Sequence, residues 1–269
     1  MLRKKIILAL GLVIAISPWA APARGQTPDC KLVTSGTATV TSVIDGDTVG
    51  LDDGSQVRLV GTQAPKLPLG RKNFPVWPLA PEAKAGLAEL TLGKTVELRY
   101  GGLRKDRHGR RLAHLFAGDD QTWVQEEMIA RGLARTYSFA DNRSCVRRLQ
   151  KREARARGEE LGIWSLDYYA LRQASETGEL LDLVNSFQLV EGRIAAVAKV
   201  RGRVFLNFGK NYRDDFTAVI SPGDVRRFAN GSIDLMALKG ATIRVRGWVE
   251  RFNGPSIDVT HPEQIEILK

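Results

Sequence analysis

Two aspartates and two arginines in the first half of the chain have side chains suited to holding a phosphate. Asp45 and Asp47 share the segment VIDGDTV, and Arg58 and Arg110 follow at wider spacing. Carboxylate oxygens are preferred ligands of Ca²⁺, and the guanidinium fork matches phosphate oxygens. Cleaving a phosphodiester requires groups that hold the developing charge and a base that activates water. The four residues therefore predict a phosphate site, although Asp-Gly alone is equally typical of a hairpin turn.

Three segments occur in an order and spacing that resemble one nuclease family. They are VIDGDTV at 43–49, VRLVGTQAPK at 57–66 and DRHGRRLA at 106–113, followed by ARGLA at 130–134 and LGIW at 161–164. Together they resemble the staphylococcal nuclease (thermonuclease) family over roughly residues 36–166. The resemblance implies a five-stranded barrel with three helices, and a phosphodiesterase that acts on DNA or RNA.

The resemblance also assigns roles to individual residues. Asp47 falls on the first calcium-ligand carboxylate of the family, and Asp45 on an acidic residue that supports the metal site. Arg58 and Arg110 fall on the two arginines that clamp the phosphate during catalysis. Ca²⁺ is accordingly the expected cofactor. Tyr137 lies near a pair of substrate-stacking tyrosines, so we expect either a substrate contact or a place in the core.

The second segment departs from the family pattern, which is usually Asp-x-Pro-Glu. Gln63 replaces the second metal-ligand aspartate and can still offer an amide oxygen, while Ala64 supplies the backbone carbonyl position. Lys66 replaces the glutamate expected to act as general base. A protonated ammonium cannot accept a proton from water, and loss of a base typically costs about 10²- to 10⁴-fold in rate. The sequence therefore predicts a weakened calcium site, in which Lys66 could bind phosphate as a point charge.

His108 is a candidate replacement for the missing base. It lies inside the segment DRHGRRLA, close in sequence to Arg110, and its ordinary pKa suits proton transfer near neutral pH. The alternative is a solvated turn histidine at a position where the family often has tyrosine.

Three functional hypotheses follow from these residues. The first is a Ca²⁺-dependent nuclease, and the second is a nucleic-acid-binding module that has lost its cutting machinery at Gln63 and Lys66. The third is a scaffold of the cell envelope that binds neither metal nor nucleic acid. Salt-dependent nucleic-acid affinity separates the third from the other two. The sequence identifies no protein partner.

Residues 1–23 have the pattern of a secretory signal peptide. Three basic residues at 3–5 precede an apolar run at 6–16 and the sequence Ala-Pro-Ala at 21–23. The apolar run is well short of the ~20 residues that span a bilayer. We expect export to the periplasm or medium, with no stable membrane insertion after cleavage. Cleavage would lower the net charge from +10 to 10 − 3 = +7, which still favours an anionic partner such as nucleic acid.

The chain contains two cysteines, Cys30 and Cys145. An oxidising compartment would allow them to pair, and we expect a disulfide that ties the N-terminal segment to the barrel. Two free thiols are the alternative. A bridge closing so long a loop could contribute on the order of 4 kcal/mol to stability.

Alternating strand patterns predict a mainly β fold with helices, divided into two barrels. A nuclease-like domain is expected at 36–166, a linker at 167–186 and a second barrel at 187–269. In the second barrel, five strand-like runs with a helix between the third and fourth resemble the OB-fold, a barrel that binds oligonucleotides or oligosaccharides.

Two groups of basic residues remain. Arg244 and Arg246 are predicted to belong to a basic surface of the second barrel that could hold a single strand. The basic run at 147–157 is interspersed with Glu153, Glu159 and Glu160 and is predicted to be a solvated helix face.

Overall fold

The computed structural model describes residues 30–228 and 233–268, so the predicted signal peptide lies outside the described residues. Within the described residues, no helix is long and apolar enough to cross a membrane. The first half contains the strands β1 Val33–Asp45, β2 Thr48–Leu51, β3 Gln56–Leu59, β4 Thr62–Gln63, β5 Thr95–Tyr100, β6 Arg111–Ala117, β7 Thr122–Trp123 and β8 Arg135–Thr136. Its helices are α1 Ala80–Thr91, α2 Val124–Ala130 and α3 Val146–Gly158.

Five of these strands form the first barrel. The long strand β1 pairs with β2 on one side and β5 on the other, β2 pairs with β3, and β5 pairs with β6. A parallel pairing of β3 with β6 closes the barrel. The five-stranded barrel with three helices is therefore confirmed.

The sequence of β5 illustrates why these segments form barrel strands. Its residues alternate between outer and inner faces, and Val96, Leu98 and Tyr100 point into the core, as a half-buried strand requires. The core is capped by α1, whose Ala83 and Leu87 are fully buried against the strands.

The second half repeats the same strand order. Its elements are β9 Arg172–Gln173, α4 Thr177–Asp182, β10 Phe187–Arg193, β11 Ala196–Val200, β12 Arg203–Asn207, β13 Thr217–Ile220, α5 Pro222–Phe228, β14 Thr242–Phe252, β15 Gly254–Asp258 and β16 Ile265–Ile267. β10 and β11 together act as one bent strand that pairs with β14 and with β12. The parallel pair of β13 and β15 corresponds to the closing pair of the first barrel. The mainly β fold class is confirmed, whereas nucleic-acid binding by this barrel stays a prediction.

The segment predicted as a linker carries short elements of its own. β9 pairs in parallel with β10, and α4 contacts β14 and β15. The connection is thus attached to the second barrel along part of its length. The predicted domain bounds themselves stay predictions.

A buried ion-pair network joins the two barrels and corrects two sequence-based predictions. Arg246 of β14 is 1% exposed and contacts Glu153 of α3, with 2.7 Å between Nη2 and Oε2. Arg246 also contacts Glu266, and its Nη1 donates to the carbonyl of Thr136 at 3.1 Å. Neither Arg246 nor Glu153 is part of a solvated face, because each neutralises the other inside the interface.

Arg244, also predicted on a basic surface, is buried beside the same network. Its Nε donates to Glu191 at 2.7 Å, and its Nη1 lies 3.1 Å from Glu266. Arg244 is therefore an interior residue and is not part of an exposed basic surface.

The predicted disulfide is confirmed. Cys30 and Cys145 are bonded, with 5.0 Å between their Cα atoms and 115 positions between them in sequence. The bridge holds the start of β1 against the loop that leads into α3. In the chain-entropy view, a loop of this length contributes about 4–5 kcal/mol by restricting the unfolded chain.

His114 of β6 makes the stability of the fold depend on pH. The ring is fully buried, and neither nitrogen has a hydrogen-bond partner among the described residues. Burial lowers the pKa of His114 from 6.5 to about 3. The unfolded chain therefore binds a proton that the folded chain does not, so stability is lost as pH falls from 6.5 toward 3.

We expect this loss to reach about 1.4 kcal/mol per pH unit for the one histidine. Urea unfolding at pH values from 7 to 4 measures it. The variant His114→Phe, which keeps a buried ring beside Trp123, should show a smaller slope. Equal slopes in the two proteins would contradict this origin.

Candidate phosphate site

The turn between β1 and β2 places the first two acidic residues of the site. Asp45 ends β1 and pairs with Thr48, so Gly46 and Asp47 form a two-residue hairpin turn. A side chain at Gly46 would lie 2.6 Å from the Cβ of Ala64 and 2.7 Å from that of Ala83. Glycine allows the turn to pack closely against Ala64 and Ala83, which brings Asp47 beside the segment after β4. Asp45-Gly46 is therefore both a hairpin turn and part of the candidate phosphate site.

Lys66 occupies the centre of this acidic pair. Its Nζ lies 2.7 and 2.6 Å from the two carboxylate oxygens of Asp47 and 3.3 Å from Oδ2 of Asp45. The backbone N–H of Ala64 donates to Asp47 at 2.8 Å. An ammonium group is thus enclosed by the two carboxylates that the family resemblance assigns to the metal site.

Arg58 approaches the same carboxylate from β3. Its Nη1 forms an ion pair with Asp47, and its Nη2 donates to the carbonyl of Thr62 at 3.1 Å. Register places Arg58 opposite Thr48, one residue beyond the turn. The barrel therefore places two cationic side chains, Arg58 and Lys66, in contact with the fully buried carboxylate of Asp47.

Burial and neighbouring charges shift the pKa values of Asp45 and Asp47 in opposite directions. Burial alone would raise the pKa of Asp47, but Arg58 and Lys66 outweigh it and hold that pKa well below its usual range. Burial and the neighbouring charge of Asp47 raise the pKa of Asp45, against a smaller effect of Lys66. Asp47 is consequently the carboxylate that anchors the cations.

The side chain of Gln63 is bonded to Arg135, and its role as a metal ligand stays a prediction. Its Oε1 accepts a hydrogen bond from Nε of Arg135 at 2.9 Å. Because β4 pairs with β8, these two residues face each other across a short ladder. The amide oxygen of Gln63 is therefore already engaged by a guanidinium group.

Arg135 is a residue of this region that the sequence reasoning missed. It is buried, and its guanidinium lies 4.6 Å from the ring centroid of Phe187 and 5.6 Å from that of Tyr169. Burial lowers its pKa to about 10. Its position two residues before Tyr137 was the one sequence feature that could have indicated a role. The rings that it contacts belong to distant segments of the chain, so the contacts themselves could not be predicted.

Arg110 lies immediately before β6, at the end of the turn that begins at Asp106. Asp106 accepts from its Nε at 2.8 Å and from its backbone N–H at 3.0 Å, which fixes the guanidinium at the edge of the barrel. His108 is exposed on the same turn, and its backbone N–H also donates to Asp106. The turn therefore presents an arginine and a histidine together.

A groove of about 470 Å³ is lined by four of the predicted site residues. Arg58, Arg110, His108 and Tyr137 line it, together with Phe139. The lining therefore combines arginines with aromatic rings, which is the combination expected for a single strand of nucleic acid. The predicted substrate contacts His108 and Tyr137 are thus placed beside the two arginines, although their roles stay predictions.

The donor set does not suit Ca²⁺. Calcium takes six to eight oxygen ligands, whereas here Lys66 and Arg58 neutralise Asp47 and Gln63 faces Arg135. Across residues 30–228 and 233–268, no three His, Cys, Asp or Glu side chains are grouped as a metal site. A calcium ion would have to displace a bonded ammonium from between Asp45 and Asp47.

Comparison with known proteins identifies relatives among nucleases. Residues 56–166 match the sequence model of the family described as Staphylococcal nuclease homologue. The chain is 29% identical over 163 residues to a thermonuclease of Staphylococcus hyicus, which covers 60% of this chain and 94% of that protein. It is 32% identical over 138 residues to the SPbeta prophage-derived endonuclease YokF of Bacillus subtilis (strain 168), which covers 49% of this chain and 45% of that protein.

Proposed function

Because residues 56–166 form a domain of the staphylococcal nuclease homologue family, we propose that this nuclease-like chain binds DNA or RNA without Ca²⁺ and without cleaving it. The phosphate lies in the groove lined by Arg58 and Arg110. The observation that carries the proposal is the ammonium of Lys66, bonded to both Asp45 and Asp47. A resident cation holds the position where the relatives would bind a metal.

Charge balance supports binding in the absence of a metal. Relative to the family pattern, Gln63 removes one negative charge and Lys66 exchanges a negative for a positive one, so the site is more positive by three units. That gain is of the same order as the two charges of Ca²⁺. The arginines can therefore attract a phosphate without an added cation.

The position that the family resemblance assigns to the general base holds no proton acceptor. A general base must take a proton from the attacking water, and the ammonium of Lys66 cannot do so while it is protonated. The ammonium is instead held by two short contacts with Asp47. The site is better equipped to hold a phosphodiester than to cut it.

A nuclease that uses His108 is the second candidate. His108 lines the same groove as Arg58 and Arg110, so its ring could accept a proton from water near a bound phosphate. This candidate requires cleavage that is lost in His108→Ala and retained in a chelator.

The signal-peptide pattern at 1–23 supports an exported protein that meets nucleic acid in the periplasm or medium. The bonded pair Cys30 and Cys145 is in keeping with an oxidising compartment.

The proposal is tested by binding of labelled single-stranded DNA, duplex DNA and RNA in the presence of a chelator. We expect Arg110→Ala to weaken binding about tenfold and to reduce the dependence of log K on log salt by about one. Arg155, an exposed arginine of α3 paired with Glu159, does not line the groove, so Arg155→Ala is the matched control.

Equal losses in the two variants would mean that the groove is not the binding site. No salt-dependent binding by the unaltered protein would contradict the proposal and favour the scaffold hypothesis.

A further inference from the structure

A second cavity lies beside the phosphate groove, at the junction of the two barrels. Its volume is about 210 Å³, smaller than the ~300–1,000 Å³ of pockets that hold drug-sized ligands. Tyr137 and Phe139 line both this cavity and the groove of Arg58 and Arg110. A strand held at the arginines therefore has the cavity directly next to it.

Aromatic rings from both barrels surround this junction cavity. Phe139 is 54% exposed and Trp248 is 40% exposed, although large aromatic side chains are usually well buried. Tyr137 packs edge-on against Phe139 with ring centroids 4.9 Å apart. Its hydroxyl accepts a hydrogen bond from Nε1 of Trp248 at 3.1 Å. Trp248, on β14, is thus fixed in place by the first barrel while its ring stays accessible.

The polar wall of the junction cavity differs from that of the phosphate groove. Glu250 and Asp258 contribute carboxyl groups to it. The only arginine among its lining residues, Arg246, is already paired with Glu153 and Glu266. This wall repels a phosphate, but it can accept hydrogen bonds from an exocyclic amino group, as acidic side chains do from cytosine N4.

We propose that the junction cavity binds one unpaired nucleobase that carries an exocyclic amino group, stacked on Trp248. The inference rests on the proposed function, because the phosphate of the same strand lies at Arg58 and Arg110. Trp248 acts as a stacking platform supplied by the second barrel, and Glu250 and Asp258 accept from the amino group. A base enclosed in this way cannot be paired in a duplex, so the site selects single strands.

Three short single-stranded probes separate stacking, amino recognition and phosphate binding. They are oligo-dC, oligo-dT, which lacks the exocyclic amino group, and an abasic oligomer with the same number of phosphates. Affinities are measured by fluorescence anisotropy in the presence of a chelator.

The variant is Trp248→Ala, and Trp248→Phe is the matched control because it keeps a stacking ring but loses the hydrogen bond to Tyr137. Tyr212→Ala removes an exposed ring elsewhere on the second barrel.

We expect Trp248→Ala to lose at least about fivefold in affinity for oligo-dC, the low end of the loss for one stacked base. Trp248→Phe and Tyr212→Ala should bind nearly as the parent does, and the abasic oligomer should bind all four proteins equally. The parent should prefer oligo-dC to oligo-dT by about fivefold, and Glu250→Gln should reduce that preference.

Two outcomes would overturn the inference in distinguishable ways. If oligo-dC binding depends on Arg110 but is unchanged in Trp248→Ala, the phosphate site stands and the base site does not. If the parent binds none of the three probes, the proposed function fails, and the base site fails with it.

Discussion

Lys66→Glu is expected to gain calcium binding and to raise phosphodiester hydrolysis by about 10²- to 10⁴-fold over the parent protein. The substitution removes the ammonium that now lies 2.6 Å from Oδ2 of Asp47. It places a third carboxyl group beside Asp45 and Asp47, and carboxylate number is what tunes calcium affinity. The new carboxylate can also accept a proton from water.

Lys66→Met is the matched control for this substitution. It removes the ammonium but adds neither a metal ligand nor a base, so it should free the carboxylates without giving hydrolysis. Calorimetric titration with Ca²⁺ and cleavage of a labelled oligonucleotide measure the two effects separately. Intact folding of each variant is checked by its urea transition. Lys66→Glu protein that folds but neither binds Ca²⁺ nor cleaves would show that Lys66 is not what separates this site from an active one.

Arg246→Ala is expected to destabilise the protein by about 3–5 kcal/mol, the usual cost of breaking a buried ion pair. The free energy of unfolding of a protein is commonly only about 5–15 kcal/mol, so the substitution would remove a large part of it. The substitution leaves Glu153, which is fully buried, without its closest cationic partner. It also removes the donor to the carbonyl of Thr136.

Urea unfolding measures this loss. The double variant Arg246→Met/Glu153→Gln is the control, because it removes the charges of both partners and keeps side chains of similar length. It should be more stable than Arg246→Ala, since no uncompensated carboxylate remains at position 153. A loss below about 1 kcal/mol in Arg246→Ala would contradict the assignment of this pair as the buried connection between the barrels.

Local pattern was sufficient to predict much of the fold. The alternation in β5 is a property of neighbouring residues, so a strand could be located there from sequence. The helix expected between the third and fourth strands of the second barrel is α5, Pro222–Phe228. The strands β4, β8 and β9 were not predicted, because a strand of two residues is too short to show an alternation of apolar and polar side chains.

The site could be predicted in its residue types but not in its contacts. Asp45, Asp47, Arg58 and Lys66 were identified from spacing, yet only the closed barrel shows that the ammonium lies between the two carboxylates. The contact of Gln63 with Arg135 was not predicted, because it depends on the pairing of β4 with β8.

Arg246 shows why a basic strand residue cannot be assigned to a surface from sequence alone. Its partner Glu153 is 93 positions away, and Glu153 sits in a helix whose other charges are typical of a solvated face. Trp248 was overlooked for the same reason, since its contact with Tyr137 spans 111 positions. Contacts between the barrels depend on docking, which no local pattern encodes.

The most direct test of the central claim is a comparison of binding and cleavage of one labelled single-stranded oligonucleotide by the unaltered protein in Ca²⁺ and in chelator. Because Lys66 supplies the cation at Asp45 and Asp47, we predict equal affinity in the two conditions and an intact strand in both. Calcium-dependent cleavage that disappears in Arg58→Ala would contradict the claim, since it would require a metal to displace Lys66 and the site to work as a nuclease.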